Sequence, residues 1–76
     1  MDKHALILDF PELTEKIHEL KVSNNHFRKF FDEYHELTHE IHGIETGATA
    51  TTDLHLTELR KKRMVLKDEL YKMLTH

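Results

Sequence analysis

The stretch Phe27-Arg28-Lys29-Phe30-Phe31-Asp32-Glu33-Tyr34-His35-Glu36-Leu37-Thr38-His39-Glu40-Ile41 decides the fold. Its apolar residues Phe27, Phe30, Phe31, Tyr34, Leu37 and Ile41 recur at steps of three and four, which places them along one side of an α-helix. A second series, Leu56, Leu59, Leu66, Leu70 and Met73, has the same spacing. Residues 43–52 separate the two series and hold both glycines of the chain. Two helical stripes joined by one glycine-containing loop read as an antiparallel, coiled-coil-like helical hairpin, and the fold class is all-α.

Folding the hairpin about position 48 pairs residues whose numbers sum to about 97. Phe27 then meets Leu70, Phe31 meets Leu66, and Ile41 meets Leu56. The same register sets Arg28 and Lys29 near Asp68 and Glu69. It also sets Asp32, Glu33 and Glu36 near Arg60, Lys61, Arg63 and Lys67. Residues 1–45 carry ten acids against five Lys/Arg, a net of −5, and residues 46–76 carry four acids against six, a net of +2. The halves attract each other, as suits a chain that doubles back. Arg63 falls on the apolar stripe, where its stem can lie along Tyr34.

Punctuation around the hairpin gives the remaining elements. Pro11 fits the first turn of a helix, where no backbone N–H is required, and Glu12 and Glu15 suit its positive end. A leading helix is predicted over residues 11–22, with Leu13, Ile17 and Leu20 as its apolar edge. Ser23, Asn24 and Asn25 are good capping residues and predict a break, although the heptad phase running through Asn24 also allows one continuous helix. Further helices are predicted over 25–43, ending at Gly43, and over 54–74, capped by Thr52 or Asp53. Residues 1–9 read as a flexible N-terminal tail with a small apolar patch, and residues 10–76 as a single helical domain.

Size and composition narrow the function classes. At 76 residues with no cysteine, neither a disulfide nor a thiolate metal site is available. A two-helix hairpin of this length offsets its ordering entropy with little margin, so a third helix or a second copy of the chain is expected. The longest apolar run, Ala5-Leu6-Ile7-Leu8, is far shorter than the roughly 20 residues of a membrane span. It also lacks the length of a signal peptide. The expectation is a cytoplasmic protein with no membrane partner. In the predicted register the Leu13/Ile17/Leu20 edge has no partner on the hairpin; it must fold back or meet another subunit. This stripe is the predicted interaction surface, for a homo-oligomer or another helical protein.

His35-Glu36-Leu37-Thr38-His39 matches H-E-x-x-H. Histidines four apart on one helix face can hold zinc, and the glutamate can activate a bound water. Glu58 lies where one protease clan has a third ligand, and His42 adds another imidazole. A protease nevertheless needs a sheet edge to hold peptide and a second lobe to form the cleft, and neither is encoded. With Leu37 in the core, His35, Glu36 and His39 are expected on the helix flank or in solvent. His35, His39 and His42 therefore remain weak metal candidates, and no cofactor is expected. Arg60-Lys61-Lys62-Arg63 suggests nucleic-acid binding, but four consecutive helical residues point around most of the helix and acids face them. Phe27, Phe30 and Phe31, facing leucines, read as core rather than as a stacking platform.

Phe10-Pro11-Glu12, Leu20-Lys21, Asn25-His26-Phe27, the run from His35 to Ile41, and Leu66-Lys67-Asp68-Glu69 together resemble the YdcH-like family of small bacterial proteins. The resemblance spans roughly residues 9–74, and its most specific part is the Leu-Lys-Asp-Glu string preceded by Lys61-Lys62-Arg63. It implies a short coiled-coil or helical-hairpin protein and carries no activity. The family pattern does not require a glutamate at the position of Glu36, which makes the protease-like string incidental. The expected role is a non-enzymatic interaction or self-association module. Metal binding through His35/His39/His42 and nucleic-acid association through the basic last helix are the alternatives.

Overall fold

In a computed structural model the chain is all-α, and the structure describes residues 5–76. The elements are α1 (Ala5–Asp9), a 3-10 turn (Pro11–Leu13), α2 (Thr14–Ser23), α3 (Asn25–Glu45) and α4 (Asp53–Leu74), with no strand among the described residues. The most extensive packing is between α3 and α4. They form the hairpin, and the particle measures 37 × 21 × 21 Å.

The core contains the residues that the two stripes nominate. Phe27, Phe31, Tyr34, Leu37 and Ile41 from α3 are buried with Leu66 and Leu70 from α4, and Leu74 joins them. Leu56, Leu59 and Met73 pack against this core from its edge. Phe30 is only partly buried, and its ring lies 4.4 Å from that of His26, between centroids.

Local chemistry explains the element ends. Asn24 leaves the helical region (φ −134°, ψ 105°), and its Oδ1 accepts from the Phe27 N–H at 3.0 Å. That is an N-cap, so the chain breaks between α2 and α3 instead of running as one helix. Thr52 caps α4 in the same way, accepting from the His55 N–H at 3.1 Å. Gly43 is not the stop: α3 continues through Glu45, and the Thr46 hydroxyl donates to the His42 carbonyl at 2.9 Å. The left-handed turn comes at Gly47 (φ +83°), where a side chain would be strained.

Two expectations need correcting. First, residues 5–9 are not a tail. They form α1, which packs on α3, with Leu6 fully buried. Residues 1–4 of the expected tail lie outside the described residues. The physical reason is that Leu6, with Ala5 and Ile7 beside it, packs onto the core while Leu8 faces water. Second, the Leu13/Ile17/Leu20 stripe is not an outward surface. α2 folds back onto α3 and α4, Ile17 is fully buried, and Leu13 and Leu20 pack against the core. The missing third helix is supplied by the chain itself.

The ion pairs depart from the expected zip. Arg28 pairs along its own helix with Asp32 at 3.3 Å, Arg60 reaches Glu45 at 2.7 Å, and Lys67 reaches Asp9 at 3.7 Å. The contact between His55 and Glu40 at 3.9 Å keeps the predicted antiparallel register.

Candidate functional site

Among the described residues the H-E-x-x-H string is not gathered into a metal-holding group. His35 is 2% exposed and lies inside the core, not on the flank. Its Nδ1 is 2.7 Å from the Phe31 carbonyl oxygen, and its Nε2 is 3.3 Å from the Leu6 backbone nitrogen. A carbonyl can only accept and an N–H can only donate, so the pair assigns the neutral tautomer with its proton on Nδ1. The ring also stacks beside Phe31, with centroids 4.2 Å apart. His39 and His42 are exposed on α3. Among the described residues no group of three or more His, Cys, Asp or Glu is placed to hold a metal ion. The misreading has a clear cause: α1 and α4 both press on α3, so the buried arc is wider than a two-helix hairpin implies.

The structure instead brings together a cleft where α1, α3 and α4 meet. It has a volume of about 570 Å³ and is lined by Ala5, Leu8 and Asp9, by Tyr34 and Thr38, and by Arg60, Arg63, Met64 and Lys67. Steps of three and four line up Arg60, Arg63, Met64 and Lys67 on one face of α4, and Tyr34 and Thr38 on one face of α3. At its base the Tyr34 hydroxyl donates to Asp9 Oδ2 at 2.6 Å. Burial, then the hydrogen bond to Asp9 and the charge of Asp9, push the Tyr34 phenol well above its ordinary value, and Arg63 and the neighbouring Thr38 hydroxyl oppose them. Thr38 Oγ1 is buried near that phenol, and its contacts with the described residues fall short of good hydrogen-bond geometry. Arg63 forms no ion pair or hydrogen bond among the described residues, whereas Arg60 and Lys67 are paired. Leu8, 78% exposed, and Met64, 60% exposed, stand in water at the rim.

The sequence carried a partial signal for this cleft. Arg63 on an apolar stripe beside Tyr34 marks a place where a charge enters the helix interface. The contribution of α1 is invisible in the sequence, because five residues show too little periodicity to reveal a helix.

Two comparisons with known proteins bear on this chain. The sequence signature of a family described as "Protein of unknown function (DUF465)" matches residues 27–74. The chain belongs to this family. DUF465 signature positions cover α3 and α4, the hairpin that carries most of the core. The chain is also similar to "Uncharacterized protein YdcH" of Escherichia coli (strain K12), 34% identical over 65 residues, covering 86% of this chain and 88% of that protein. It is similar to the protein of the same description from Shigella flexneri, with the same identity and coverage. No solved structure matches. The matched segment begins two residues into α3, so α1, the 3-10 turn and all of α2 precede it.

Proposed function

We propose that the protein is a non-enzymatic helical interaction module acting in the cytoplasm, with its docking site at the cleft between α1 and α4. The observation that carries this reading is that Leu8 and Met64 stay in water beside a buried Thr38 hydroxyl that makes no well-aligned hydrogen bond among the described residues. Large apolar side chains beside a poorly bonded polar group favour a partner that covers both. No helix among the described residues is long and apolar enough to cross a membrane. The absence of cysteine suits a reducing compartment.

A photo-crosslinking residue at Met64, introduced in living cells, tests the reading, with the same residue at exposed His42 as the control. Discrete protein adducts are expected from position 64 and not from position 42. No adduct at position 64 ends the reading.

A further inference from the structure

The cleft has a basic wall, and the chain carries a matching acidic edge elsewhere. On α4, Arg60, Arg63 and Lys67 fall at i, i+3 and i+7. Glu12, in the 3-10 turn, and Glu15 and Glu19, on α2, fall at the same spacing, and Val22 lies three residues further on. All three glutamates are exposed, and Val22 is 85% exposed. Glu19 has a weak partner in Lys16 at 3.9 Å, while Glu12 and Glu15 form no ion pair among the described residues. The stripe on α4 spans about 10 Å at 1.5 Å per helical residue.

We infer that the cleft between α1 and α4 docks the acidic outer edge of α2 from a second copy of this chain. The inference rests on the interaction-module reading and names its partner. Ile17 anchors α2 in its own core, so the outer edge of α2 is open only to another molecule. Glu15, in the middle of the acidic stripe, faces Arg63, in the middle of the basic one, whichever way the two helices run. A carboxylate arriving there takes the Arg63 guanidinium, which forms no ion pair among the described residues, and the Thr38 hydroxyl, which has no well-aligned hydrogen bond among them; both donate. Val22 adds apolar area against the rim formed by Leu8 and Met64. A nucleic acid fits less well, because Asp9 and Glu45 already sit against two of the three cations and the rim is apolar. Because cleft and edge are different patches, a two-fold axis engages both at once and closes a dimer, whereas any other relation builds an open chain.

Sedimentation equilibrium of the full chain across concentration and salt tests the inference, with Glu15→Arg, Arg63→Glu and the double reversal. The expected result is self-association that weakens with salt and falls about tenfold or more in affinity with either single reversal. The double reversal restores it. Thr38→Val, which removes the poorly bonded hydroxyl, gives a second readout: association weakens while the melting temperature of the monomer does not fall. This readout holds even if a charge reversal impairs folding. A protein that stays monomeric at all concentrations overturns the inference, as does association indifferent to salt and to both reversals. A monomer that still gives a Met64 crosslink to a different protein overturns self-docking and leaves the broader reading standing. Loss of both signals removes both.

Discussion

His35 Nε2 accepts a hydrogen bond from the Leu6 backbone N–H at 3.3 Å and so caps the start of α1 from the middle of α3. Leu6 is the second of the five described residues of α1, and His35 Nε2 is the acceptor for its N–H among the described residues. A helix this short does not hold by itself. The imidazole and the burial of Leu6 together fix α1 to the hairpin.

His35→Leu keeps most of the side-chain volume and removes the acceptor. The Leu6 N–H then loses its acceptor among the described residues, at a cost of about 1–3 kcal/mol. Hydrogen exchange should show the amides of Ala5–Asp9 losing protection while the centre of α3 keeps it. Equal loss along both helices would show that His35 supports the whole core and not α1 in particular.

Zinc titration gives a separate check on the same side chain. With both ring nitrogens engaged inside the core, the His35 imidazole resonances should not move at micromolar zinc, and their nitrogen shifts should report the Nδ1–H tautomer. Movement of the His35 and His39 resonances together would restore a metal site to this face.

Tyr34 ties α3 to Asp9, and Tyr34→Phe should cost about 1 kcal/mol at neutral pH in chemical denaturation. The pH dependence has a definite sign. The folded phenol ionises at a higher pH than its ordinary value of 10.0, so the unfolded chain releases this proton first. The stabilisation is complete below pH 10 and is lost as pH rises through the elevated folded value. Wild-type stability should therefore fall above pH 10, and the phenylalanine variant should lose that part of the slope.

Ile17 separates a core role for α2 from a docking role. Ile17→Val should cost about 0.5–1.5 kcal/mol, and Ile17→Asp should unfold much of the population, because a carboxylate would enter an apolar interior. Thermal melts of dilute protein measure this. A dilute Ile17→Asp protein with an unchanged melt would return the stripe to the surface.

Asn24→Ala removes the side-chain acceptor of the Phe27 N–H and should lower stability by about 1 kcal/mol. Asn24→Ser, which restores a capping oxygen, should recover most of that loss. If Ser performs no better than Ala, the break between α2 and α3 is held by packing alone.

The hairpin could be read from the chain because its two long stripes repeat over several turns. Phe27, Phe31 and Ile41 against Leu66 and Leu70 is a pattern that few other arrangements can bury. The caps at Asn24 and Thr52 were legible too, since those side chains satisfy backbone donors within three residues. The stop at Gly43 was misplaced, because a glycine late in a helix does not end it when Thr46 can bond back to the His42 carbonyl.

Periodicity and capping chemistry are properties of neighbouring residues, so the sequence by itself determined the two long helices, their antiparallel pairing and most of the core. The place of α1, the inward turn of Ile17 and the burial of His35 depend on which face of α3 remains uncovered after α4 has packed. That is a question of three-dimensional area shared between distant segments, and only the tertiary structure decided it. The cleft follows from the same cause: Tyr34, Thr38 and Arg63 become neighbours of Leu8 and Asp9 only once α1 lies across the hairpin.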